Sequence, residues 1–239
     1  MNEIDFNKFL QLIIKDKGGT PKQYNQLMDY IAYHETGPVH SSVPNQRMKT
    51  DAKQYIYDKE KDKYVPEGTG RGLFMFESHE DAGGNLAVNR TVNFLERNNQ
   101  FVPQWLRELW TNKKSVDVSK LDADKQKMLF LGYHREHPTS NFSDVWKGKQ
   151  SIQDFWLKNH WSGSANKTSE QIAAKLDVFN KNMAAKDSTE ALKAKKEELE
   201  LKKNMAPYLS NANKVENLPS SEDLIKNLFG AQDSSLIRR

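Results

Sequence analysis

The stretch from Thr20 to Pro38 constrains the fold more than any other. Thr20-Pro21-Lys22-Gln23 is a helix start: Thr20 can cap, Pro21 suits the first helical position, and Gln23 completes a capping box. Tyr24, Leu27, Met28 and Ile31 then recur at spacings of three and four, which marks one apolar face. Glu35 falls four residues after Ile31 and extends that face, and Gly37-Pro38 ends the helix just beyond it. A carboxyl group on such a face is partly desolvated, which raises its pKa and keeps it protonated near neutral pH. That is the property a general acid needs to protonate a glycosidic oxygen. The plainer alternative is a glutamate at a helix end that points at water.

The rest of the chain reads as helices around a small β element. Residues 3 to 16 carry Ile4, Phe9, Leu10, Ile13 and Ile14 on or near one face, and Lys17-Gly18-Gly19 breaks that helix. Residues 37 to 51, with two prolines and no sustained period, form a loop long enough to suggest function. Gln54-Tyr55-Ile56-Tyr57 and Lys63-Tyr64-Val65 are two short strands joined by a charged turn. Gly68-Thr69-Gly70-Arg71-Gly72 then leads into Leu73-Phe74-Met75-Phe76-Glu77. Helices are expected over 82–98, over 103–110, from the cap pattern at 119–122 to about His134, and over 151–161. The third, with Met128-Leu129-Phe130-Leu131, is apolar on several faces and reads as the buried central helix.

Composition shifts after Asn166: no Trp follows, and no Gly until Gly230. Ile172, Leu176, Phe179 and Met183 make one amphipathic helix, and 188–208 a second, charged one with Glu198 and Lys202 well spaced to pair. The tail holds one short helical patch over 223–229. The expected organisation is a domain over 1–165 and a helical extension and tail over 166–239. The formal charge of +4 favours approach to an anionic cell wall or nucleic acid without specifying either. With no cysteine, disulfides and Cys-ligated metal sites are excluded. The chain shows no signal peptide and no apolar run long enough for a membrane span, so delivery to an extracellular polymer is expected to depend on another carrier.

The ordered set of a helix ending in Glu, a loop, a hairpin, a Gly-Leu-Phe turn and further helices resembles the lysozyme-like superfamily, and within it the soluble lytic transglycosylases. Their signature is Glu-Ser at a helix end, a Gly-Leu-Met-Gln turn and an Ala-Tyr-Asn segment on a later helix. Glu35-Thr36, Gly72-Leu73-Phe74-Met75 and Gly132-Tyr133-His134 stand at those places. The phrase Gly-Arg-Gly-Leu-Phe-x-Phe-Glu, with the later Tyr-His-Arg-x-His-Pro and Phe-Trp-x-x-x-His-Trp-x-Gly, looks in particular like bacteriophage virion proteins of this superfamily. The match covers roughly residues 20 to 163. Thr36, Met75 and His134 depart from the usual Ser, Gln and Asn.

The resemblance implies a mainly α, lysozyme-like α+β fold with the hairpin beside a cleft. It implies cleavage between N-acetylmuramic acid and N-acetylglucosamine in peptidoglycan, with Glu35 as the catalytic acid and base. Thr36, Gly72, Met75, Glu77, Tyr133 and His134 would contact substrate, and Gly70 and Gly72 would let the backbone approach the glycan. No cofactor is expected. The partners implied are glycan strands and other virion subunits, the latter met through residues 166–239, with homo-oligomers in the particle compatible. The place of action would be the host envelope, reached with the virion. A muramidase-type hydrolase, or a structural tail or ejection protein that kept the fold and lost the chemistry, are the alternatives.

Asp51 and Glu77 are candidates for a second carboxylate, which an inverting hydrolase requires. Glu77 reads equally as a dipole partner for the helix that follows. His34, Glu35 and His40 do not make a zinc motif, since Gly37-Pro38 breaks the helix that would align them, and no metal site is expected. Of Trp105, Trp110, Trp156 and Trp161, at least three are expected in the core. Lys193, Lys195 and Lys196 are interleaved with Glu197, Glu198 and Glu200, which marks a solvated face rather than a phosphate site.

Overall fold

A computed structural model of the chain describes residues 4–78, 83–111, 116–138, 140–161 and 167–212, with side chains as far as 205. The fold is mainly α, as the sequence predicts. Its helices are α1 (Phe6–Lys17), α2 (Pro21–Glu35), α3 (Gly83–Arg97), α4 (Gln104–Thr111), α5 (Ala123–Glu136), α6 (Phe142–Trp146), α7 (Ile152–Phe155) and α8 (Ser169–Ala212). A π-helical turn, Trp156–His160, continues directly from α7.

Two antiparallel ladders lie between α2 and α3. Strands β1 (Ile56–Asp58) and β2 (Lys63–Val65) pair with Tyr57 opposite Tyr64. Strands β3 (Gly70–Arg71) and β4 (Phe76–Glu77) form a second, shorter pair. The glycine-rich segment is therefore itself a hairpin, whose tip is Gly72-Leu73-Phe74-Met75. Glu77 lies in β4 opposite Gly70, and its backbone abuts Gly83 and Gly84 at the start of α3.

Helix α5 is the buried centre. Met128, Leu129, Phe130 and Leu131 are all inaccessible to solvent, and each such side chain contributes roughly 1.5–3 kcal/mol by leaving water. α5 crosses α3 at contact distance because Gly132 has no side chain: a Cβ there would lie 2.1 Å from Thr91 Oγ1. Phe74, from the hairpin tip, stacks on Phe130 at 4.3 Å, so the turn is packed into the core.

The chain divides at Asp187 rather than near residue 165. The first stretch of the expected extension belongs to the first unit. Phe179 is fully buried and stacks on Trp156 at 5.0 Å. Asn182 bonds to His34 and Arg47, and Tyr30 donates to Asp187 at 2.5 Å. The two helices expected after residue 166 are one continuous helix. The second unit, from Ser188, is helical to Ala212, leaves Leu192 and Leu199 exposed, and carries the expected Glu198–Lys202 pair at 2.5 Å. The patch over 223–229 lies outside the described residues. Among the described residues no helix is long and apolar enough to cross a membrane.

Candidate active site

Glu35 is delivered by the last residue of α2, and the start of that helix is as the sequence dictates. The Thr20 hydroxyl accepts from the Gln23 amide at 3.3 Å, and the Gln23 side chain accepts from the Thr20 amide at 2.9 Å. Tyr24, Leu27, Met28 and Ile31 are fully buried, so the face that ends at Glu35 is anchored along its length.

The carboxyl of Glu35 meets an aromatic wall. Trp156 Nε1 donates to Glu35 Oε1 at 2.5 Å. The Trp156 indole is held between Trp161, stacked at 5.4 Å, and Phe179, and His34 lies edge-on to it at 4.5 Å. The residue is half-buried, with its carboxyl held against the Trp156 indole. Burial pushes its pKa from 4.5 up to about 7, against the opposing pull of the Trp156 hydrogen bond and the Lys175 ammonium. Glu35 thus holds its proton well into the neutral range.

Arg47 and the adjacent histidine are joined by one amide, that of Asn182. Arg47 donates to the Tyr33 carbonyl and to Asn182 Oδ1, each at 2.8 Å, and its guanidinium lies 4.0 Å from the centre of the Tyr33 ring. Asn182 Nδ2 donates to His34 Nδ1 at 3.0 Å. Burial, with Lys175 and Arg47 nearby, brings the His34 imidazole down to about 3, so it is neutral.

The π-helical turn joins Glu35 to the hairpin tip. At its start stands Trp156, bonded to Glu35. At its end His160 Nε2 donates to the Phe74 carbonyl at 2.9 Å. The wide turn is closed by Trp161 N–H donating to the Trp156 carbonyl at 2.8 Å. Glu35 and the Gly72–Met75 tip, far apart in sequence, are thereby fixed to one five-residue element.

The other residues expected to contact substrate are placed differently from one another. Thr36 is inaccessible: its hydroxyl donates to the Ala32 carbonyl at 2.6 Å and accepts from the Met48 amide at 2.8 Å. It ties the 37–51 loop to the end of α2 and is not open to a ligand. Gly72 has φ +74° and faces inward, because a Cβ would lie 2.4 Å from Gln126 Oε1. Its glycine serves a close approach to α5 and not to a glycan, and Gly70 likewise abuts Gln54 and Met75. His134 is fully buried, with Nδ1 3.0 Å from Ser140 Oγ and Nε2 3.1 Å from His160 Nδ1. It is a core histidine. Met75 is half-buried at the tip with φ +47°, and Glu77 is exposed. Tyr133 is half-buried, edge-on to Phe76 at 5.6 Å, with the Arg90 guanidinium 4.3 Å from its ring centre.

A residue that sequence reasoning did not single out holds the tip in place. Gln126, fully buried on α5, accepts from the Leu73 amide at 2.7 Å. Its Nε2 donates to the carbonyls of Thr50 and Leu121 at 2.9 and 2.8 Å. One side chain thus satisfies three backbone groups from the tip, the loop and the start of α5. Trp156 and His160 stand in the Phe-Trp-x-x-x-His-Trp phrase, where their spacing was visible but their partners were not. Of Trp105, Trp110, Trp156 and Trp161, Trp156 is buried, Trp105 and Trp161 pack against the core, and Trp110 is exposed.

Among the described residues no group of three His, Cys, Asp or Glu side chains is placed to hold a metal ion. No second carboxylate is hydrogen-bonded to Glu35 among them. Comparison with family models, with curated proteins and with solved structures finds no match to this chain.

Proposed function

We propose that the protein cleaves the glycan strands of peptidoglycan as a lytic transglycosylase carried by a phage particle, with Glu35 as the single acid and base. The observation that carries this reading is the Glu35 carboxyl itself, buried against Trp156 and protonated up to about pH 7. Protonation of the oxygen between N-acetylmuramic acid and N-acetylglucosamine lets the C1–O bond break. The resulting carboxylate takes the proton from the muramic 6-hydroxyl as O6 bonds to C1, which gives the 1,6-anhydro sugar and restores the acid. One carboxylate and no water complete this cycle. The net charge of +4 favours approach to an anionic wall. Residues 166–239 are proposed to dock other virion subunits, though 169–187 also help build the Glu35 recess.

The test is mass spectrometry of purified sacculi after digestion by wild type and by Glu35→Gln. Anhydro-ended muropeptides from wild type and none from the variant support the reading. Reducing ends, heavier by one water, convert it to a hydrolase. Intact sacculi, or equal release by the variant, refute it.

A second reading, an inactive structural virion protein of the same fold, is favoured by one set of observations. Thr36, Gly72 and His134 spend their polar or steric capacity inside the protein, and Met75 brings no hydrogen-bonding amide to the tip. Wall binding without cleavage would select it.

A further inference from the structure

The buried histidines are not used by the chemistry proposed above, yet they form a chain with a fixed direction. The Phe74 carbonyl can only accept, so His160 carries its hydrogen on Nε2. Burial holds His160 near 4 and His134 well below 6.5, so both rings are neutral. His160 Nδ1 is then the acceptor, and His134 Nε2–H donates to it at 3.1 Å. His134 Nδ1 in turn accepts from the Ser140 hydroxyl at 3.0 Å. The order Ser140, His134, His160, Phe74 leaves no donor unspent and no lone pair facing another.

The chain passes through the π-helical turn at His160. Such turns carry one extra residue and weaker packing of their own backbone, so they persist where side chains hold them. Here the clamp is at one end, His160, and the delivered group is at the other, Trp156 Nε1–H on Glu35. We propose that His160 is a positioning residue for Glu35: bonded between His134 and the Phe74 carbonyl, it fixes the wide turn that sets the Trp156 indole against the Glu35 carboxyl. It acts through Trp156 and touches no substrate. For its catalytic consequence the inference rests on the reading of Glu35 as proton donor; for its structural content it does not.

The groups that face Glu35 and act on its charge are Trp156 on the π-helical turn and Lys175 on α8. Releasing the turn alters the first and leaves the second. His160→Phe keeps the ring volume and removes both hydrogen bonds. His160→Gln keeps one donor and one acceptor.

The experiment follows the Trp156 indole N–H resonance of the full chain by 1H–15N NMR across pH 4 to 9, with the indole signals assigned by single Trp→Phe variants. In wild type this resonance is expected to shift with the ionisation of Glu35. In His160→Phe the midpoint is expected to fall by on the order of one pH unit, because water reaching the carboxyl relieves burial, the larger influence on Glu35, and outweighs the weakened Trp156 bond, whose loss alone would raise it. In His160→Gln a smaller fall is expected. Leu106→Ala, a core truncation in α4, is the control and should leave the midpoint where it is. If His160→Phe does not fold, the Gln variant carries the test. A folded His160 variant whose midpoint matches wild type overturns the inference, and so does an equal shift in Leu106→Ala. No substrate is involved, so a midpoint that moves while sacculi stay intact keeps this inference and rejects the enzymatic reading. Cleavage by wild type with an unmoved midpoint in the variants does the reverse.

Discussion

Trp156 Nε1 lies 2.5 Å from Glu35 Oε1, and through that bond the last residue of α2 is joined to a turn 121 residues further along the chain. The bond works against the surroundings in one respect. A donor favours the ionised carboxylate, whereas burial favours the acid, and burial wins. Trp156→Phe keeps most of the stacking area on Trp161 and Phe179 and deletes the donor. The Glu35 midpoint is expected to rise above its wild-type value, as read by carboxyl 13C NMR. The variant should lose about 1–2 kcal/mol in urea unfolding at pH 6.

Glu35 also makes stability depend on pH. Its folded pKa of about 7 lies above its ordinary 4.5, so between these values the folded state holds a proton that the unfolded chain has released. This contribution is full below 4.5 and is lost as pH rises to 7, by about 3 kcal/mol at most. Glu35→Gln removes the ionisation while its amide oxygen can still accept from Trp156. The variant should match wild type within error at pH 4.5 and be the more stable protein at pH 8, by urea melts at both.

The histidines act in the opposite sense. His34, at about 3, His160, at about 4, and His134 are all neutral in the fold and would gain protons readily if unfolded. Their favourable contribution is complete above pH 6.5 and is lost as pH falls towards their folded values. With His137, also lowered by burial, these groups outweigh Glu35 below 6.5, and the loss from Glu35 continues to about pH 7. Thermal midpoints should therefore peak above pH 6.5, near neutrality, and fall more steeply on the acid side. In His160→Phe the acid limb should be shallower.

The hairpin tip depends on Gln126. Gln126→Leu strands the Leu73 amide and the Thr50 and Leu121 carbonyls in the interior. The expected cost is about 3–5 kcal/mol, given that each buried unpaired group is unfavourable by roughly 1–3 kcal/mol and the site can relax in part. Hydrogen exchange should accelerate first at the Leu73 amide. Gly72→Ala should be comparably costly, because its φ of +74° and its contact with Gln126 both oppose a side chain.

What the sequence disclosed follows from the range of the forces involved. Helix α2 was legible to the residue, since its capping box, its apolar face and its Gly-Pro stop are all local. The position of Glu35 on a buried face was legible for the same reason. The β3–β4 ladder was not, because two glycines and a two-residue strand carry no period. The role of Gln126 depends on partners 53 and 76 residues away, which no spacing reveals. The stretch from Ile172 to Met183 announced an apolar face but not that Phe179 on it stacks on Trp156. Thr36 and His134 were expected at the substrate through resemblance. Their hydroxyl and ring nitrogens are instead committed to Met48, Ala32, Ser140 and His160.

The central claim is that a carboxyl at the end of α2 keeps its proton at neutral pH. The most direct measurement is a 13C NMR titration of the Glu35 side-chain carboxyl in the full chain, assigned by its loss in Glu35→Gln. A single transition with a midpoint near 7 is the result this account predicts. A midpoint near 4.5, the value of a carboxyl in open water, would contradict it.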